Sequence, residues 1–186
     1  MSYQTYTTKA IVCGSRSNNT SDKSLLLFTR EAGMLWASAR SVREERSKQR
    51  FSLQDFSLVK VSLIKGKTGW KIGSIECEKN FFTLSTTQSA RITVINVVKL
   101  TRQFIQGEAY QPQLFDDFKS VLDQSVIKEG KHLVAIYTLR LLHNLGYIAT
   151  ENSFENYLAT AEWWTLPPLP ATAEIAISRA KDVSHL

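Results

Sequence analysis

The sequence predicts an α+β fold in which a small antiparallel β domain precedes a helical domain. Up to Asn80, short apolar runs are separated by segments rich in Gly, Ser, Asn and Thr, a pattern typical of antiparallel sheets and barrels. Beyond Asn80 the apolar residues recur at helical spacing. The chain has 186 residues, of which 43% are hydrophobic, so it is long enough to bury a core. We therefore expect a β domain over residues 1–80 and an α-helical domain over residues 81–186.

Five strands are expected in the first domain, over Thr7–Cys13, Lys23–Thr29, Met34–Val42, Phe56–Lys65 and Trp70–Glu78. The third strand alternates clearly, because Leu35 and Ala37 lie on one face and Trp36 on the other. Gly33 supplies the positive φ that a tight turn before this strand requires. An antiparallel sheet and a barrel both fit this pattern.

The second domain is expected to contain five helices, over Ala90–Ile105, from Pro112 onward, Lys131–Leu145, from Ser153 to Trp164, and Thr172–Val183. Pro112 suits the first turn of its helix, and Gly146 suits the end of the third. The stretch Ile92–Val98 is rich in β-branched residues, so a strand also fits there.

The positive charge is concentrated in the first domain. The formal net charge is +6. Residues 1–80 carry 14 Lys and Arg against 7 Asp and Glu, whereas residues 81–186 carry 9 against 10. A basic half beside a near-neutral half suggests that the first domain meets a polyanion.

Motifs for catalysis and for metal binding are missing from the sequence. Gly66-Lys67-Thr68 resembles the end of a phosphate-binding P-loop, but Val61 stands where that motif needs Gly. Cys13 and Cys77 cannot form a disulfide framework or a four-cysteine zinc site. We therefore expect no catalytic residue, no metal and no cofactor. The N-terminal residues are polar and lack the apolar stretch of a signal peptide, so we expect the cytoplasm.

Basic residues surround two predicted structural features, the segment after the third strand and the last hairpin. Trp36 and Trp70 are predicted beside these charges. Arginine and lysine neutralise phosphates, and aromatic side chains stack on single-stranded bases. A solvated loop beside two core tryptophans fits the same pattern. The candidate nucleic-acid contacts are Arg30, Trp36, Arg40, Arg43, Arg46, Lys48, Arg50, Lys65, Lys67 and Lys71.

The stretch from Thr8 to Glu78 resembles the N-terminal domain of the bacterial RecO recombination mediators. The residues that carry the resemblance are Ala10-Ile11-Val12, Ser15-Arg16, Asp22, Leu25-Leu26, Leu27-Phe28-Thr29-Arg30-Glu31, Gly33, Ala37, Ala39-Arg40, Val42-Arg43, Ser47, Leu53-Gln54, Phe56, Gly66-Lys67 and Glu76. The second half resembles the helical region of the family more weakly, through Leu114-Phe115-Asp116, Leu139-Arg140-Leu141-Leu142 and Leu145-Gly146-Tyr147.

Four departures separate this chain from the family pattern. Met34 replaces a basic residue, and Ser41 replaces a glycine. Many relatives carry a four-cysteine zinc site after the Leu-Gly-Tyr element, whereas no cysteine follows Cys77 here. The chain is also shorter than typical members. These departures remove zinc from the expectation and leave the C-terminal partner contacts open.

The resemblance implies an OB-fold antiparallel β-barrel followed by a small α-helical domain. It implies binding to single- and double-stranded DNA, strand annealing without nucleotide hydrolysis, and association with the nucleoid. It further implies a RecR-type partner, the acidic C-terminal tail of single-strand binding protein, and, indirectly, loading of RecA. Arg102 or Arg140 lies beside an apolar helix face and is the candidate to receive an acidic peptide carboxylate. An RNA- or ribosome-associated adaptor and a protein–protein interaction module are the alternatives.

Overall fold

The computed structural model describes residues 5–17, 22–39, 53–127 and 131–184. All five predicted strands are present: β1 (Thr5–Ser17), β2 (Lys23–Thr29), β3 (Gly33–Ala39), β4 (Ser57–Gly66) and β5 (Gly69–Asn80). The first strand is longer at both ends than the alternation indicated. The predicted continuation of the third strand to Val42 lies outside the described residues.

The strands form a closed barrel in the order β1-β2-β3-β5-β4, which confirms the predicted OB fold. Four neighbouring pairs are antiparallel, and β3 pairs with β5 in parallel through Ala37 opposite Trp70 and Ser38 opposite Lys71. The expectation of an antiparallel barrel needs this one correction. With an odd number of strands, direction cannot alternate all the way around a closed ring, so at least one neighbouring pair must be parallel.

The barrel interior is filled by aliphatic side chains that alternate along each strand. The second strand contributes Leu25 and Leu27, and the fourth contributes Val59, Val61 and Leu63. All five are fully buried. Burial of one such side chain contributes about 1.5–3 kcal/mol, so this layer stabilises the barrel.

A β-bulge at Cys13 reverses the alternation of the first strand. Ala10 and Val12 face the interior, but the register with β2 shifts between Val12 and Gly14. Simple alternation would have placed Arg16 inside. The extra residue instead turns Arg16 outward, opposite Ser24.

The segment Ile105–Phe115 belongs to the same compact unit as the barrel, which consists of Met1–Leu84 and Ile105–Phe115. Phe115 meets Phe28 edge to face, with ring centroids 5.7 Å apart. The Met34 backbone N–H donates to the Gly107 carbonyl at 3.0 Å. Gly33 has a φ of 74°, and a side chain there would meet the Ala109 backbone nitrogen at 2.5 Å. This segment is therefore held tightly against the turn between β2 and β3.

The second compact unit comprises Ser85–Phe104 and Asp116–Leu186. The helices of the described residues are α1 (Phe81–Leu84), α2 (Gln88–Phe104), α3 (Pro112–Ile127), α4 (Lys131–Asn144), α5 (Glu155–Ala159) and α6 (Ala171–Ser184), with a 3-10 turn at Trp163–Thr165. These bounds identify Ile92–Val98 as helix, so the strand alternative is wrong. The helix predicted from Ser153 to Trp164 is divided into α5 and the 3-10 turn. The domain boundary after residue 80 stays a prediction.

The second unit has a core of its own. Tyr137 and Phe118 stack with ring centroids 6.2 Å apart, and both are fully buried. The Tyr137 hydroxyl is hydrogen-bonded to Thr101 at 2.7 Å, so α2 and α4 are joined through a satisfied buried polar pair.

Candidate nucleic-acid interface

Four cross-strand partners form a row on the outside of the barrel. Arg16 of β1 lies opposite Ser24 of β2, Ser24 opposite Ser38 of β3, and Ser38 opposite Lys71 of β5. Cross-strand partners share one face of a sheet. Leu25 and Ala37 pack inward, as do Trp70 and Ile72 on either side of Lys71, which leaves this row on the outer face. Two cations therefore flank two small hydroxyl side chains across four adjacent strands, of which Ser24 is buried and Ser38 is half-buried.

Trp36 lies on the same face, two residues before Ser38 and opposite Leu26. Its side chain is 38% exposed, which is unusual for a tryptophan in a barrel strand. The Arg16 guanidinium carbon lies 4.3 Å from the centroid of the indole ring, within cation–π distance. We refer to Arg16, Ser24, Leu26, Trp36, Ser38 and Lys71 together as the outer strip.

The hairpin between β4 and β5 carries two more predicted contacts, Lys65 and Lys67, both exposed. Lys65 Nζ lies 5.0 Å from the centroid of the Trp70 ring. Trp70 is half-buried and packs against the barrel core with its apolar part. The predicted P-loop-like residues Gly66-Lys67-Thr68 form a turn between two strands.

One carboxylate binds both Lys65 and Trp70. Glu108 Oε1 accepts the Trp70 indole N–H at 2.8 Å, and Oε2 accepts Lys65 Nζ at 3.3 Å. The bond from Trp70, and more weakly the contact with Lys65, hold the pKa of the Glu108 carboxyl below its ordinary value of 4.5 against a smaller desolvation effect. Glu108 is therefore charged at neutral pH.

Other predicted contacts lie away from the outer strip or outside the described residues. Arg30 is in the turn between β2 and β3, where its guanidinium forms an ion pair with Glu31 at 3.6 Å. The Glu31 carboxylate also accepts hydrogen bonds from Thr8 and, at 3.5 Å, from Tyr6. Burial and this nearby carboxylate raise the pKa of Tyr6 above 10.0. The predicted contacts outside the described residues are Arg40, Arg43, Arg46, Lys48 and Arg50.

The two arginines assigned to peptide binding occupy opposite environments. Arg102 is exposed in the last turn of α2. Arg140 is 5% exposed and binds the Asp117 carboxylate through Nε and Nη2, both at 3.0 Å. Its Nη1 donates to the carbonyls of Tyr157 and Leu158. The assignment of Arg140 to an acidic peptide is therefore wrong, because a buried internal carboxylate already binds its guanidinium.

Two negative observations hold for the described residues. No group of three or more His, Cys, Asp and Glu side chains among them is placed to hold a metal ion. None of their helices is both long enough and apolar enough to cross a membrane.

Comparison with known proteins now identifies the family. Residues 1–81 match the family described as Recombination protein O N terminal. The DNA repair protein RecO of Desulfitobacterium hafniense is 29% identical over 142 residues, which cover 76% of this chain and 52% of the relative. The chain belongs to the RecO family.

Two further RecO relatives show similar coverage. The DNA repair protein RecO of Mannheimia succiniciproducens is 31% identical over 131 residues, 68% of this chain and 57% of the relative. That of Dehalococcoides mccartyi is 23% identical over 165 residues, 86% of this chain and 65% of the relative. The chain thus spans between half and two thirds of the length of these RecO proteins.

Sequence reasoning about this RecO-family chain missed two residues that the structure brings into the interface, Arg16 and Glu108. The sequence predicts the first strand only to Cys13 and therefore predicts no face for Arg16, whereas β1 extends to Ser17. Glu108 is 38 residues from Trp70 and has no local pattern that relates the two. Trp70 is predicted beside the basic residues, with a core position as the alternative; in the structure its ring packs on the core and its indole N–H donates to Glu108.

Proposed function

We propose that this RecO-family chain is a DNA-binding recombination mediator that contacts single- and double-stranded DNA through the outer strip of its barrel. The observation that carries the proposal is the exposed Trp36 between Arg16 and Lys71 on the outer face of β3. OB folds bind oligonucleotides on the face of strands 2 and 3 and at the connection between strands 4 and 5. The outer strip and the hairpin of Lys67 occupy those positions.

The chemistry of these residues suits a strand bound by both its bases and its backbone. An indole ring stacks on any base, at about 1–3 kcal/mol per base. The guanidinium of Arg16 is planar, so it binds a phosphate or stacks beside the base. Lys71 and Lys67 neutralise phosphates without choosing a sequence.

The basic segment that follows β3 extends this interface in the proposal. Arg40, Arg43 and Arg46 are its first cations, directly after the last residue of the strand. Cations that neutralise two strands at once lower their mutual repulsion and so favour annealing. In cells, such annealing and the delivery of recombinase to DNA covered by single-strand binding protein are the proposed activities.

Substitution of Trp36 by alanine tests the interface. We expect the Kd for a labelled oligothymidine, measured by fluorescence anisotropy, to rise roughly ten- to a hundredfold from the lost stacking. Tyr147→Ala removes an exposed aromatic ring of the second unit and is the matched control. Equal affinities of the wild type and Trp36→Ala would reject the outer strip as the base-binding surface.

Salt dependence tests the phosphate contacts separately. On single strands, each lost contact should lower the slope of log K against log salt by about 0.7. We expect this reduction for Lys71→Ala and a larger one when Arg40, Arg43 and Arg46 are changed together to alanine. Lys60→Ala, an exposed lysine of β4, should leave the slope unchanged. An unchanged slope in the triple variant would remove the basic segment from the proposal.

Annealing of complementary oligonucleotides, with and without their single-strand binding protein, tests the mediator activity itself. Acceleration by the chain supports the proposal, and no acceleration in either case rejects it. A preference for RNA over DNA of equal length would instead indicate the RNA adaptor, because the 2′-hydroxyl lets a protein distinguish an RNA backbone from a DNA backbone. Weak, length-independent binding would indicate a protein-interaction module.

The proposed protein partners are a RecR-type protein and the acidic tail of single-strand binding protein, with RecA acting downstream. Arg102 is the remaining candidate for the tail, since its side chain is exposed and Arg140 is buried. Titration of a labelled acidic tail peptide tests this assignment. Unaltered affinity in Arg102→Ala would exclude Arg102.

A further inference from the structure

The carboxylate of Glu108 is held by two donors of different kinds at the hairpin. The indole N–H of Trp70 reaches one oxygen and the ammonium of Lys65 reaches the other, at 2.8 Å and 3.3 Å. A phosphate group likewise presents two anionic oxygens on one atom, so it fits the same pair of donors. An indole N–H is a donor only, and it therefore selects an acceptor such as an anionic oxygen.

Solvent reaches this arrangement. The side chains of Lys65 and Glu108 are 63% and 47% exposed. An exposed ion pair contributes little stability, because water screens both charges. An incoming anion therefore has access to the donors and displaces a weakly held carboxylate.

The backbone on both sides of Glu108 is anchored independently of its side chain. The Gly107 carbonyl accepts the Met34 N–H, and the Ala109 backbone lies directly against Gly33. Release of the carboxylate thus requires a change of side-chain rotamer and leaves the segment Ile105–Phe115 docked. Such a change is fast and reversible.

We propose that Lys65 and Trp70 form a phosphate subsite for nucleic acid, and that Glu108 is an internal anion that occupies this subsite until a backbone phosphate displaces it. The inference rests on the proposed function and names one contact within it. Glu108 then lowers the affinity for nucleic acid, because each bound phosphate must first compete with a tethered carboxylate. A small anion with no other contact displaces the Glu108 carboxylate less readily than a nucleic-acid strand that is also bound at other points.

Glu108→Gln tests the competition, since it keeps the side-chain size and removes the charge. We expect this variant to bind labelled oligothymidine about three- to tenfold more tightly than the wild type at low salt. Glu78→Gln is the matched control. It removes the same charge from a pair with Lys9 at the far end of β5, roughly 25 Å along the strand from Trp70.

A double-mutant cycle identifies the donor. Trp70→Phe retains the ring that packs on the core and removes the N–H. In this background, the gain from Glu108→Gln should shrink to that of Glu78→Gln. An undiminished gain would mean that the carboxylate acts only through general charge and would overturn the subsite.

The indole signal of Trp70 in a spectrum of ¹⁵N-tryptophan-labelled protein provides a readout in the wild type. Oligothymidine should move this signal as a phosphate oxygen replaces the carboxylate. An unmoved signal at saturation, or equal or weaker binding by Glu108→Gln, would overturn the inference. If the wild type binds and Trp36→Ala weakens it while Glu108→Gln has no effect, only the subsite fails. If neither the wild type nor Glu108→Gln binds, the proposed function fails together with it.

Discussion

Arg140→Met should strongly destabilise the second unit, because it removes the partner of a buried carboxylate. Arg140 and Asp117 are 5% and 4% exposed, and two hydrogen bonds of 3.0 Å join them. After the substitution, the Asp117 carboxylate still accepts the indole N–H of Trp163, which lies 3.2 Å from Oδ1.

The magnitude follows from burial. Breaking a buried ion pair by removing one partner costs about 3–5 kcal/mol, because the other charge remains unsolvated. The carbonyls of Tyr157 and Leu158 also lose the donor that joins α4 to the segment containing α5. Against a typical total stability of about 5–15 kcal/mol, this loss is large.

Urea denaturation of the full chain, followed by far-ultraviolet circular dichroism of the helices, measures the effect. Lys119→Met is the control, because Lys119 and Asp123 form a partly exposed i,i+4 pair worth about 0.3–0.5 kcal/mol. Arg140→Met combined with Asp117→Leu removes both charges and should recover part of the loss. A loss below about 1 kcal/mol in the single variant, or a double variant less stable than the single one, would refute the reasoning.

Three further outcomes follow from the structure. In urea denaturation, Gly33→Ala should destabilise the barrel unit by more than Gly69→Ala. Both glycines have positive φ, but of the two only Gly33 has backbone close to an added Cβ, with the Ala109 nitrogen at 2.5 Å. Equal losses of unfolding free energy in the two variants would exclude the steric effect. Tyr137→Phe should cost about 1 kcal/mol in the same assay by removing a buried hydrogen bond, and no loss would show that the bond is not stabilising. Because folding lowers its pKa, the Glu108 carboxylate stabilises the fold above pH 4.5, and this stabilisation is lost as the pH falls through the folded pKa. The difference in unfolding free energy between the wild type and Glu108→Gln should therefore vanish in acid. A difference that persists in acid would contradict the lowered pKa.

The fold was largely readable from the sequence, because its information is local. Alternation at Leu35 and Ala37 identified the third strand and its inner face, and Gly33 identified the turn before it. The helical period likewise located α2, although β-branched residues left Ile92–Val98 open to a strand. Tertiary packing decided that point, since Val94, Val97 and Val98 are buried at helical spacing.

The candidate site was readable only in part. Composition and charge located a basic half, and the alternation of β3 placed Trp36 on the outer face, where the structure has it. Arg102 and Arg140 looked equivalent in sequence, as basic residues beside apolar helix faces. Only packing separates them, because Asp117 lies 23 residues from Arg140 along the chain and no local pattern relates them.

The sequence by itself determined the order of strands and helices, the basic character of the barrel domain and the family resemblance. These three properties depend on residues that are close together in the chain and on the net charge of each half. The tertiary structure alone decided that the bulge at Cys13 turns Arg16 onto Trp36, and that Glu108 meets Lys65 and Trp70. The first contact depends on strand register, because a shift of one residue reverses the face on which a side chain lies. The second depends on the return of the segment Ile105–Phe115 to the barrel, 38 residues along the chain from Trp70.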